Sequence, residues 1–242
     1  MLRRKRHIES RSHICHNHSY SYENHDAEVI PMRIDVYSDM VCPWCRIGKK
    51  NMSDALETWN EETGQAIPVS YHAYQLDPAL PPEGTPFNSA MEKKMGGAER
   101  LRPMLQRVTE AGAGVGLTFR FDQVERMPNT VLAHRITALL PEGHQEAWVD
   151  SVMKAYFEDG LDIAKLEVLL DIGRQLELDP AEITSLLDEG HGLEAVQKDM
   201  DNAKGMGITG VPFFIIDGKY ALSGAYPAAQ FLEAFRKISK ES

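Results

Sequence analysis

Cys42-Pro43-Trp44-Cys45 places two thiols three positions apart, where an alternating apolar segment ends and a helical pattern begins. A helix N-terminus presents unpaired N–H groups and the positive end of the macrodipole. A thiolate at that point is stabilised relative to a free cysteine, whose pKa is about 8.5. Cys42 holds the first and more accessible position and is the expected nucleophile toward a disulfide. Cys45, one turn later, is placed to attack the resulting mixed disulfide and release the partner. Pro43 suits a first turn because it has no N–H to leave unpaired, and Trp44 shields the pair and offers a substrate a flat contact. Three other readings compete. The pair is half of a zinc site, which needs two further ligands, and Cys15 with His13, His16 and His18 offers them. The cysteines are merely small apolar residues, which the intervening Pro and Trp argue against. Or they form a passive redox sensor, which the sequence leaves open.

Gly210-Val211-Pro212 is the second signal. Proline removes a ladder donor and is disfavoured inside a sheet, so its place at the head of an apolar run calls for a reason. The ordinary expectation is a trans bond starting an edge strand. With a CxxC at the facing end of the sheet, a cis Val211-Pro212 bond instead brings a backbone edge beside the thiols. Gly112–Gly116 is no dinucleotide fingerprint, because no strand, Gly-rich loop and helix enclose it.

These groups sit in a chain of 242 residues, 43% hydrophobic and 26% charged, with a formal net charge of −10. That composition is globular and large enough for a sizeable core without disulfides. The acidic balance opposes nucleic acid and anionic membrane surfaces, and no run of eighteen apolar residues suggests a membrane span. Three cysteines fit a reducing, cytoplasmic setting. Residues 1–31 lack apolar period and are expected to be a disordered tail. Their basic start is followed by no apolar core of a signal peptide. Five of the nine histidines fall there, a pattern that also suits metal. Met32 lies directly before the first strand and suits a biological start.

The elements that must position the thiols read in order. Residues 32–38 alternate as a strand, and a helix follows from the CPWC to Gly64, the expected C-terminal glycine. Residues 67–74 make a second strand, parallel to the first because a helix joins them. A Pro-rich loop at 76–86 marks a boundary. Residues 87–206 are mainly helical, with Asp179-Pro180 opening one helix as cap and first turn. Residues 116–121 fit either a strand or an extended loop. A strand at 211–216, a tight Asp217-Gly218 turn and a return at 219–224 form a hairpin, and Pro227 starts a last helix. The order βαβ, helices, ββα implies an α/β fold with one four-stranded mixed sheet. Residues 32–77 and 207–242 form that domain, and 78–206 are a helical insertion.

Ser38–Lys49, Gly210–Pro227 and Met127–Arg135 together resemble the thioredoxin superfamily, and within it the DsbA-type thiol–disulfide oxidoreductases of the FrnE-like subgroup. That subgroup is related to the 2-hydroxychromene-2-carboxylate isomerases. The resemblance spans residues 32 to about 240. It implies a thioredoxin-like fold, Cys42 as nucleophile, Cys45 as resolving thiol, Pro212 as the cis-proline and a Val211 backbone offered to an extended substrate. It also places Asn129 and His134 near the thiols, although the helical pattern around His134 favours a satisfied core or helix-face histidine. The isomerase relatives usually carry Ser where Cys42 stands, so the pair argues for dithiol chemistry. The expected activity is disulfide exchange or isomerisation on protein disulfides or small thiols, with no cofactor or metal beyond the thiol pair and glutathione as a co-substrate. The alternatives are a glutathione-dependent isomerase and a zinc-held binding module. Asp39 is read as a loop cap whose charge would oppose a nearby thiolate, and Met91, Met95, Met104 and Met127 as core filler or an adaptable apolar surface. Oligomeric state is not legible.

Overall fold

The computed structural model describes residues 32–241. The N-terminal tail, read as disordered, lies outside the described residues with Cys15 and its histidines, and so do the tail ligands of the alternative composite zinc site. The first strand, β1 (Ile34–Ser38), leads into helix α1 (Pro43–Thr63), which ends on Gly64 in the left-handed region at φ 69°. Strand β2 (Val69–Ala73) then pairs parallel to β1, with Val36 opposite Tyr71. Far along the chain β5 (Phe213–Ile216) returns antiparallel to β1, and β6 (Tyr220–Ser223) closes the hairpin. The sheet order is β2-β1-β5-β6, the mixed four-stranded sheet expected. Asp217 and Gly218 both take positive φ, 53° and 65°, the turn that matches the twist of a two-residue hairpin. The last helix, α9 (Ala228–Ile238), starts with Pro227 as its cap.

Alternation divides the sheet between two apolar clusters. Ile34, Val36, Phe214 and Ile216 join the main core with Met52 and Trp59 of α1 and Phe231 and Phe235 of α9. Phe214 and Phe231 meet edge to face at 4.8 Å. On the other side Tyr37, Phe213 and Ile215 pack with Ala203 and Ile208. Helices therefore cover both faces, as an α/β sheet requires.

Between β2 and β5 the chain runs through a short ribbon and seven helices. Strand β3 (Thr85–Pro86) pairs antiparallel with β4 (Arg126–Met127), and between them lie α2 (Phe87–Met95) and α3 (Ala98–Ala113). After the ribbon come α4 (Val131–Leu139), α5 (Glu142–Phe157), α6 (Leu166–Gln175), α7 (Pro180–Asp188) and α8 (Leu193–Gly205). Asp179 caps α7 by accepting from the Ala181 N–H at 2.8 Å, as the Asp-Pro pair predicts. Residues 117–120 form an extended loop rather than a strand. Phe119 on that loop is buried, stacks on Phe121 and meets Phe157 edge to face, so it serves the core without a ladder.

Helix α5 ties this segment to the CPWC helix. Trp148, Val149, Val152 and Met153 are fully buried along it. Arg46 and Lys49 of α1 are buried too, 3% and 6% exposed. Arg46 pairs with Glu158, and Lys49 lies 3.3 Å from Glu146 and 3.2 Å from Asp150. The cations that follow the CPWC in sequence are therefore internal ties. Among the described residues no helix is long and apolar enough to cross a membrane.

Candidate active site

Cys42 is the N-cap of α1, with extended backbone at φ −92° and ψ 110°, and Pro43 is the first helical residue. Its carbonyl accepts from the Cys45 N–H at 3.0 Å and the Arg46 N–H at 3.3 Å, and its own N–H donates to the Asp39 carbonyl at 3.1 Å. The β1–α1 turn is thus fixed on both sides of the sulfur. Both cysteines are free thiols, Cys42 5% and Cys45 1% exposed. They face different surroundings: Cys42 lines a large cavity, and Cys45 does not. Burial pushes the Cys45 thiol well above its ordinary value, and its contact with Cys42 adds to this. At neutral pH Cys45 therefore holds its proton until the reaction removes it.

Val211-Pro212 is cis. The Cys42 thiol donates to the Val211 carbonyl at 3.6 Å, a sulfur contact. A glycine that the sequence did not single out permits this approach. A Cβ on Gly48 would meet Pro212 Cγ at 2.9 Å, Phe214 Cζ at 3.2 Å and the Ala225 Cα at 3.4 Å. A glycine in mid-helix costs stability, and its presence three residues after the second cysteine signals close approach of another chain segment.

The cavity measures about 980 Å³, and Pro43, Trp44, Gly210 and Val211 stand with Cys42 in its wall. Most of its remaining wall comes from the inserted segment. Met91, Met95, Met104 and Met127 all line it, so the four methionines read as core filler form an apolar surface beside Cys42. Phe87, Phe121 and Phe157 complete that surface. The Thr85 Oγ1, in the same wall, is buried with no hydrogen-bond partner among the described residues.

Asp39 is 1% exposed and sits behind the thiols. One carboxylate oxygen accepts from the Leu76 N–H at 2.7 Å, so it does cap a neighbouring loop. The other oxygen faces His134 Nε2 at 3.5 Å, and neither atom has a hydrogen-bond partner among the described residues. His134, 2% exposed on α4, thus reaches the rear of the site through Asp39 and does not line the cavity. Asn129 is occupied elsewhere. It accepts from Gln75 Nε2 and the Val131 N–H and donates to the Leu80 carbonyl at 2.6 Å. It holds the loop after β2 against the start of α4, which shapes the cavity from outside. Among the described residues no three His, Cys, Asp or Glu side chains converge as a metal site.

A CPWC at a strand–helix junction, facing the loop before β5, directs comparison to thiol proteins with this topology. The family model of the DsbA-like thioredoxin domain matches residues 33–236. The chain belongs to this family. The DsbA-like match runs across the helical insertion as well as the sheet. The chain is 27% identical over 214 residues to the uncharacterised protein YwbO of Bacillus subtilis, covering 87% of this chain and 98% of that one. The crystal structure of a probable DsbA oxidoreductase, SCO1869 of Streptomyces coelicolor, aligns with a TM-score of 0.78 at 29% identity, over 87% of this chain and 91% of that chain. The cytosolic disulfide reductase DsbM of Pseudomonas aeruginosa, solved with GSH, aligns at a TM-score of 0.57 and 19% identity over 87% of this chain and all of that one. At that identity the likeness shows a shared fold.

Proposed function

We propose that this DsbA-like chain is a dithiol oxidoreductase that exchanges disulfides through Cys42 and Cys45, with no cofactor beyond the thiol pair. The observation that carries the reading is the unequal placement of the two thiols. Cys42 caps α1 in the wall of the cavity, and Cys45 lies one turn behind, buried and protonated. Cys42 attacks a substrate disulfide, one substrate thiolate leaves, and Cys45 then displaces the second as it closes the Cys42–Cys45 disulfide. Cys45 gives up its proton only at this second step, when the mixed disulfide stands beside it. The Val211 carbonyl, 3.6 Å from the Cys42 sulfur, is the backbone group that an arriving substrate meets first. Pro43 and Trp44 form the flank. Asp39 and His134 hold the rear of the turn.

Glutathione is the proposed partner that restores the dithiol, and the cytoplasm the proposed setting. A cytosolic disulfide reductase of the same fold solved with GSH supports both. A glutathione-dependent isomerase needs no second thiol, and the buried Cys45 favours the dithiol reading over it. The test is equilibration of the protein across glutathione redox buffers with the thiol state read by acid quench and mass. The expected result is a single two-electron transition between a Cys42–Cys45 dithiol and its disulfide, with turnover of a disulfide substrate that needs both cysteines. A pair that stays reduced at every poise, or activity that survives Cys42→Ser, overturns the proposal.

A further inference from the structure

The cavity beside Cys42 is walled by the inserted segment and is far larger than its neighbours in the site require. At about 980 Å³ it lies at the upper end of the range for pockets that enclose a whole small molecule. Met91, Met104, Phe87 and Phe121 give it soft and flat apolar surfaces, which suit rings of varied shape. One buried polar atom in this wall, Thr85 Oγ1, lacks a hydrogen-bond partner among the described residues. Buried polar atoms are normally satisfied, so this hydroxyl points to a guest that brings a hydrogen-bonding group of its own. The exposed charges of the wall are Lys93, Lys94 and Asp77. Among these exposed charges the two lysines outnumber the one carboxylate, in a chain of net charge −10, and the lysine pair complements an acidic group.

Resting on the dithiol reading above, we infer that the substrate is a small-molecule disulfide with an aromatic, carboxylate-bearing body, held in this cavity with its sulfur at Cys42. The ribbon, α2 and α3 wall this volume beside Cys42, and its size matches a whole small molecule. The chemistry balances with the thiol pair alone. Cys42 gives its proton to solvent as its sulfur bonds to one sulfur of the guest, the guest S–S bond breaks, and the departing thiolate takes a proton from solvent. Cys45 sulfur then bonds to Cys42 sulfur, expels the second thiolate and passes its proton to it. Two electrons pass from the dithiol to the guest, and two molecules of glutathione, oxidised to their disulfide, restore the dithiol.

The reduced full-length protein is mixed separately with bis(carboxynitrophenyl) disulfide, dipyridyl disulfide, bis(hydroxyethyl) disulfide and intact insulin, whose chains are joined by disulfides. Each rate is divided by the rate of free glutathione with the same disulfide, which removes intrinsic leaving-group reactivity. The expected result is a normalised preference of about tenfold or more for the aromatic over the aliphatic disulfide, the scale on which apolar pockets discriminate. The carboxylated ring should also exceed the pyridyl ring by a few-fold. Ala90→Trp, which fills the cavity, should collapse the aromatic preference. Lys93→Glu with Lys94→Glu, exposed on α2, should reverse only the carboxylate preference, and this variant keeps the test open if Ala90→Trp fails to fold. Equal normalised rates across the small disulfides, preferences untouched by both variants, or a faster reaction with insulin overturns the inference while leaving the dithiol reading in place. Silence toward every disulfide overturns the dithiol reading itself.

Discussion

Gly48→Ala adds one methyl group to the helix that presents Cys42, and two effects compete. Alanine is the better helix former, by about 0.5–1 kcal/mol over glycine. Against this, the new Cβ falls 2.9 Å from Pro212 Cγ, 3.2 Å from Phe214 Cζ and 3.4 Å from the Ala225 Cα. The first is a rigid ring and the last is backbone, so neither neighbour recoils as a flexible chain end does. Overpacking of this kind costs roughly 1–3 kcal/mol, and this steric cost outweighs the gain in helix preference. The net expectation is a loss of roughly 0.5–2 kcal/mol, read by urea unfolding. The 210–212 loop is what must move to relieve the clash, and it carries the Val211 carbonyl that Cys42 contacts at 3.6 Å. Disulfide exchange at Cys42 should therefore slow even under conditions where the variant is fully folded. A variant made more stable by alanine's helix preference, with unchanged exchange kinetics, refutes the claim that Gly48 exists to let Pro212 approach.

Three further outcomes rest on other parts of the structure. His72 on β2 bonds Asp199 through Nδ1 and Asp35 through Nε2, both at 2.9 Å. Burial opposes its charge, but the bonds to Asp199 and Asp35 outweigh it and raise its pKa to about 9 from an ordinary 6.5. Its contribution is full below pH 6.5 and is lost as pH rises toward 9, a swing on the order of 2–3 kcal/mol that His72→Phe should flatten in pH-dependent melts. The Asp39 charge adds to the rise in the Cys45 thiol, so Asp39→Asn should let a Cys42–glutathione adduct resolve at lower pH, and an unshifted pH profile counts against that coupling. A chain shortened to begin at Met32 should keep its exchange activity, since β1 starts at Ile34 and the main core lies within the described residues; loss of activity with release of zinc would restore the composite metal site.

The parts legible in the sequence are those whose chemistry is local. Alternation exposed β1, the CPWC marked a helix start, Gly64 marked its end, and Asp217-Gly218 marked a tight hairpin, where both residues take positive φ. Asp179-Pro180 announced α7 in the same local way, as cap and first turn. Features set by distant partners were not legible. The β3–β4 ribbon has two residues per strand, too few to show a period of two. Phe119 and Phe121 look like a strand face, but they stack on each other and pack edge to face on Phe157, with Phe119 buried and Phe121 half-buried. The spacing of Met91, Met95, Met104 and Met127 shows an apolar face without showing whether it meets a core or a void, and here it meets a void. Arg46 and Lys49 read as exposed cations until their partners on α5 and at its C-terminal end are known.

The division of labour between the two thiols is the central claim, and trapping tests it most directly. Reduced Cys45→Ser protein is exposed to a disulfide substrate, quenched in acid and digested for peptide mapping, with Cys42→Ser run in parallel. A stable mixed disulfide on Cys42 is expected in the first protein and no exchange in the second. An adduct that forms on Cys45 in Cys42→Ser protein at a comparable rate, or no accumulated adduct in Cys45→Ser protein, contradicts that division.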